Sequence, residues 1–180
     1  MTYFVAYVFR GEAEEKISAL RNDIARTFDV HEALRIPPHI TLFYPFDTEA
    51  ENIGRLQHDL DKLVKLITAL PLSVVGFKPF DNEVWFLDLE QKAELHAIKD
   101  AITHLIKSSL NIVDQRRFSD VYFHCTLAFR DVTPEKFEAI GEYLKDRQPP
   151  IDYFVLDAVA ILEQQQDRTW KVLSVHPLLG

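Results

Sequence analysis

The sequence predicts an α+β protein of two similar lobes, each an antiparallel sheet with helices on its outer face. Short β-rich runs alternate with amphipathic stretches of helical period. One pattern, His-x-Thr between apolar neighbours, occurs twice, as "HITL" at 39–42 and "HCTL" at 124–127. After each copy comes a helix and then a hairpin, so the order of elements repeats and implies a structural duplication. At 180 residues the chain suits one well-buried core better than two, and a single bilobal domain over 1–180 is expected.

The elements follow in order. "TYFVAYVF" (2–9) is aromatic and β-branched and reads as a strand. In "GEAEEKISALRNDIARTF" (11–28), Ile17, Leu20, Ile24 and Phe28 fall on one helical face. "HITLFYPF" (39–46) is a strand reached through Pro37 and Pro38, and "ENIGRLQHDLDKLVKLITAL" (51–70) is an amphipathic helix closed by Pro71. "LSVVGFKPF" (72–80) and "EVWFLDL" (83–89) form a hairpin across Asp81-Asn82.

The second half begins with helix 91–110 and strand "VYFHCTLAF" (121–129). "TPEKFEAIGEYLKD" (133–146) carries a strong helix start, with Thr133 as N-cap and Pro134 in the first turn. "DYFVLDAVAILEQ" (152–164) and "TWKVLSVHPL" (169–178) close the chain as a hairpin.

Composition excludes some functions. The N-terminal apolar run is too short for a membrane span or signal core and lacks a basic flank, and a single cysteine rules out an intrachain disulfide framework. A cytoplasmic protein is expected. The net charge of −8 opposes a protein that coats long nucleic acid, which needs many cations to release phosphate counterions. A site for one or two phosphates needs only a local cluster.

Strand alternation explains the repeated motif. It puts His39 and Thr41 on one face, with Ile40 and Leu42 facing the core. The same parity assigns Tyr122, His124, Thr126, Ala128 and Arg130 to one face and Phe123, Cys125, Leu127 and Phe129 to the other. An imidazole beside a hydroxyl suits phosphoryl chemistry: the ring moves a proton near neutral pH and the hydroxyl donates to a non-bridging oxygen. Two pairs across a groove supply a base for water and an acid for a departing ribose oxygen, with no metal and no cofactor. One His-x-Thr is ordinarily just a satisfied polar pair; two copies with the same flanks are far more telling.

These motifs resemble the two signature tetrads of the 2H phosphoesterase superfamily, and within it the bacterial 2'-5' RNA ligase-like (LigT-like) branch, which includes RNA 2',3'-cyclic phosphodiesterases. "YFVAYVF", "LRIPPHITLFYPF" and "GFKPFDNEVWFLDL" extend the likeness over most of the chain. The resemblance implies two pseudo-symmetric lobes around a central cleft that carries the two His-x-Thr motifs, catalytic roles for His39 and His124, and phosphate-holding roles for Thr41 and Thr126. It implies hydrolysis of a 2',3'-cyclic phosphate, typically to a 2'-phosphate, or the related making and breaking of 2'-5' linkages. The partner is then an RNA 3' end or a nucleotide with a cyclic phosphate, bound by a monomer with no membrane. Many members carry Arg five residues after the second histidine, where this chain has Phe129 and then Arg130; parity keeps Arg130 on the His124 face if no bulge intervenes.

Tyr122 is a candidate for stacking a base, and Arg35 and Lys78 are candidates for cationic pull on a phosphate. Cys125 faces away from His124 and reads as structural rather than nucleophilic. His96, Asp100 and His104 have metal-ligand spacing but lie opposite the apolar stripe of their helix, so no metal is expected there. His31, His58 and His176 belong to no constellation. Two other functions fit: a nucleotide-binding module of the same fold without turnover, and a small-molecule cyclic nucleotide phosphodiesterase, which the acidic pI favours.

Overall fold

The computed structural model describes residues 1–110 and 121–180. In chain order the elements are β1 (Thr2–Val8), α1 (Gly11–Phe28), a 3-10 turn (Glu32–Arg35), β2 (His39–Asp47), α2 (Ala50–Val64), β3 (Leu70–Phe80), β4 (Val84–Leu89), α3 (Ala93–Leu110), β5 (His124–Ala128), α4 (Pro134–Leu144), β6 (Tyr153–Leu156), β7 (Ala158–Gln164) and β8 (Trp170–Pro177). Two antiparallel four-stranded sheets result, ordered β2-β1-β7-β8 and β5-β4-β3-β6. Both His-x-Thr strands are therefore edge strands, and they lie beside each other.

The halves of the sequence do not map one to each sheet. Each half keeps its strand, helix and His-x-Thr strand together, as β1-α1-β2 and β4-α3-β5. The hairpin that follows each motif crosses over: β3-β4 builds the second sheet and β7-β8 completes the first. The helices cross too, since α1 packs under β5 and α3 under β2, while α2 backs β8 and α4 backs β4. Their buried stripes, such as Ile53, Leu56, Leu60 and Val64 of α2, join both sheets in one continuous core.

Two expectations change, and one element is added. The run 152–164 is two strands in different sheets, because the chain crosses over at Asp157. Arg10 pairs with the Asp157 carboxylate at 2.5 Å, and the Asp157 carbonyl accepts from the Leu178 N–H at 2.8 Å, fixing the crossing. Helix α2 ends at Val64, short of Pro71, which lies inside β3. The backbone of Ile67 and Ala69 is taken instead by Leu179, at 2.9 and 2.8 Å. The 3-10 turn at Glu32–Arg35 has no local periodicity to announce it; the Asp131 carboxylate caps it by accepting from the N–H groups of His31 and Glu32. Thr133 caps α4 as expected, accepting from the Lys136 N–H. No helix among the described residues is long and apolar enough to cross a membrane.

Candidate active site

Alternation holds through both motifs. Ile40 and Leu42, like Cys125 and Leu127, are buried in the core, while His39, Thr41, His124 and Thr126 keep partial exposure on the opposite face. The registers match: His39 pairs with Val8 and Thr41 with Ala6, as His124 pairs with Asp88 and Thr126 with Phe86. One residue later each strand bulges. The step from Ala6 to Val5 faces Thr41 to Phe43, and the step from Phe86 to Trp85 faces Thr126 to Ala128, leaving Leu42 and Leu127 as the extra residues.

The second bulge overturns the parity assignment beyond Thr126. Ala128 is buried in the core rather than on the His124 face. Arg130 lies past the end of β5 with left-handed backbone (φ 68°), exposed, its guanidinium 5.0 Å from the Phe129 ring. Strand parity therefore no longer links it to His124.

The two imidazoles are held alike. His39 Nδ1 donates to the Pro37 carbonyl at 2.9 Å, and His124 Nδ1 donates to the Tyr122 carbonyl at 2.7 Å. A carbonyl can only accept, so in the neutral ring the proton is on Nδ1 and Nε2 keeps its lone pair. Aromatic edges dry both rings: Phe4 stands 5.2 Å from His39, and Phe80 and Phe86 stand 4.8 and 5.0 Å from His124. Desolvation pushes the His39 pKa down to about 4, with further lowering from the charges of Arg21 and His124. His124 is lowered too, by burial and against the hydrogen bond to Tyr122. The strands that carry the two histidines, β2 and β5, pack side by side, and the charge of His124 is felt at His39. Neither threonine hydroxyl has a hydrogen-bond partner among the described residues, which leaves both available to a ligand.

Beside His124 lies a polar network. The buried carboxylate of Asp88 accepts from the Tyr122 hydroxyl at 2.5 Å and from Lys78 Nζ at 2.7 Å, and Lys78 also donates to the Tyr122 oxygen at 3.2 Å. Both hydrogen bonds raise the Lys78 pKa and hold its charge there. Sequence reasoning picked Tyr122 and Lys78 but missed Asp88, the residue that joins them. Its signal was present in "WFLDL": a carboxylate within an apolar strand requires a partner.

A sequence model described as the 2'-5' RNA ligase superfamily matches residues 9–168. The chain belongs to that superfamily. This superfamily member is 29% identical over 168 residues to a protein of Geobacillus sp. (strain WCH70) named for phosphoesterase activity, covering 92% of each chain. A Geobacillus kaustophilus (strain HTA426) relative of similar name is 29% identical over 90 residues, only 51% of its length. The fold resembles that of E. coli LigT complexed with 3'-AMP (TM-score 0.69, 15% identity, covering 99% of this chain and 98% of that one). It also resembles TT0787 of Thermus thermophilus (TM-score 0.64, 17% identity, 100% and 99% covered).

Other candidates in this 2H phosphoesterase sit apart from the histidines' chemistry. Arg35 is engaged by Glu32 Oε1 at 2.8 Å and by the Asp167 carbonyl at 3.0 Å, bracing the 3-10 turn against the β7-β8 turn. Cys125 is fully buried and its thiol pKa is pushed up to about 11, as a structural cysteine requires. No group able to hold a metal occurs among the described residues; His96 packs on the Phe123 ring at 4.8 Å, and Asp100 pairs with Lys99. His176 does belong to a constellation, contrary to expectation: Nδ1 meets Asp61 Oδ1 at 2.6 Å and Nε2 meets Ser174 Oγ at 2.8 Å. This tether joins β8 to α2, a pairing that sequence spacing cannot show.

Proposed function

We propose that this phosphoesterase hydrolyses a 2',3'-cyclic phosphate at an RNA end or on a nucleotide, by acid-base catalysis between His39 and His124. The observation that carries the reading is the matched pair of imidazoles, each with Nδ1 tied to the carbonyl two residues earlier and Nε2 left free. Neutral Nε2 of one ring removes a proton from water as its oxygen bonds to phosphorus. The protonated partner delivers its proton to the ribose 3' oxygen as the P–O3' bond breaks, leaving a 2'-phosphate and a 3'-hydroxyl. His39, whose pKa is the more strongly depressed, is the base, and His124 the acid. Thr41 and Thr126 donate to the non-bridging oxygens.

E. coli LigT has been crystallised with 3'-AMP, ATP, NADP+ and phosphate, which supports a nucleotide phosphate as the ligand class. One chain carries both histidines, so a monomer suffices, and the scheme calls on neither metal nor cofactor. A single, buried thiol suits action in the reducing cytoplasm.

The test is turnover in EDTA of an RNA oligonucleotide ending in a 2',3'-cyclic phosphate. His39→Ala and His124→Ala should each lower kcat/KM by at least about 10²-fold. Wild-type protein that binds the oligonucleotide without converting it overturns the reading in favour of a binding module.

A further inference from the structure

The pseudo-symmetry of the cleft breaks in one place. On the first sheet the positions flanking the motif strand are apolar: Val8 opposite His39, Ala6 opposite Thr41, and Ala160 opposite Ala6. The matching positions of the second sheet are Asp88 opposite His124, Phe86 opposite Thr126, and Lys78 opposite Phe86. Directly opposite residues of an antiparallel pair share a face, so Lys78, Phe86 and Thr126 stand in one row on the cleft wall. One wall is thus hydrocarbon where the other holds an ion pair whose lysine end is half exposed.

The cation is built in rather than incidental. Asp88 is buried, and its carboxylate oxygens are taken by Tyr122 and Lys78. Gly76, directly opposite Asp88, offers no side chain to compete for the carboxylate, so the lysine two residues on leans over it. Lys78 spends two of its three N–H donors on Asp88 and Tyr122 and is half exposed, which leaves one donor and a positive charge turned to the cleft. The scissile phosphate already has the two threonine hydroxyls and two imidazoles. Lys78 stands in the same row as Thr126 but two strands away, about 10 Å between backbones.

We propose that Lys78, held in place by Asp88 and Tyr122, forms a subsite for a second phosphate of the substrate, the one on the 5' carbon of the nucleoside that carries the cyclic phosphate. This rests on the cyclic-phosphate reading above and deepens it. Lys78 is the binding residue; Asp88 is a positioning residue acting through it. The substrate class is then an RNA end, where that phosphate is the diester to the preceding nucleotide, or a nucleotide bearing a 5'-monoester.

The test compares kcat/KM for four substrates at low salt: adenosine 2',3'-cyclic phosphate, its 5'-monophosphate, the ApA dinucleotide ending in a cyclic phosphate, and that dinucleotide with a neutral methylphosphonate linkage. Wild-type protein should favour the charged dinucleotide over the methylphosphonate by about 5- to 10-fold, the scale of one charge-assisted contact at a half-exposed site. Lys78→Gln should bring that ratio to within about twofold of unity and flatten the salt dependence. Asp88→Asn should raise KM for the charged dinucleotide more than it lowers kcat. Preference for the dinucleotide over the 5'-monophosphate identifies an RNA end, and the reverse a nucleotide; either supports the subsite. Equal use of the charged and neutral dinucleotides overturns the subsite while leaving the cyclic-phosphate reading standing. No turnover of any of the four overturns both.

Discussion

At the scale of single residues, burial of the two imidazoles sets the pH response. In the free protein the productive state, His39 neutral and His124 protonated, is most populated between their two pKa values, and both lie below the usual 6.5. The kcat/KM profile should therefore be bell-shaped with its maximum between about pH 4 and 6.5, measured with a substrate that does not titrate there. A maximum above pH 7 would exclude this pairing of roles. Stability responds to the same burial. The unfolded His39 takes up a proton below pH 6.5 and the folded one not until about 4, so its contribution is present above 6.5 and drains away as pH falls through that window. The loss amounts to about 3 kcal/mol at most. Urea melts at pH 7 and 4.5 should show a smaller fall for His39→Gln than for the wild type. His39 and His124 were legible as candidates from spacing alone, but their drying by Phe4, Phe80 and Phe86 was not, because those rings come from other strands.

At the scale of elements, helix α4 sits on β4 through Trp85. The indole N–H donates to the Phe137 carbonyl at 3.0 Å, and the ring stacks on Phe137. A Cβ at Gly141 would come within 2.7 Å of the Trp85 ring. Gly141→Ala should therefore destabilise by about 1–2 kcal/mol, despite the better helix propensity of alanine. In a Trp85→Leu background the same change should cost less, a coupling that denaturant melts of the four proteins measure. The Asp61–His176–Ser174 chain tethers α2 to β8 in the same way. His176→Ala should lower stability by about 1–3 kcal/mol in the same assay, through the lost contacts of a buried ring, with kcat/KM unchanged. Helical stripes and the Thr133 cap were readable because they are local in sequence. The end of α2 was not, since Leu179 at the far end of the chain claims the backbone that would have prolonged it.

At the scale of the whole molecule, each sheet needs strands from both halves of the chain, and one hydrophobic core runs beneath both. We propose that the lobes accordingly unfold as one unit. The two tryptophans report on opposite sheets, Trp170 in β8 of the first and Trp85 in β4 of the second. Single-tryptophan variants Trp85→Phe and Trp170→Phe should each show fluorescence and far-UV circular dichroism midpoints that coincide. Separate midpoints for the two probes within one variant would mean that the lobes melt independently.

Residue order by itself determined the four long helices and the strands that carry the site, the duplication and the inward face of each His-x-Thr motif, because periods of two and of about 3.6 are properties of neighbouring residues. Only the tertiary structure decided the exchange of hairpins between sheets, the paired bulges that end parity after Thr41 and Thr126, and the meeting of Lys78, Asp88 and Tyr122. Those features depend on the register between strands far apart in the chain. Register is set by which packing buries the most apolar surface while satisfying every buried polar group, a balance that no local stretch of sequence contains.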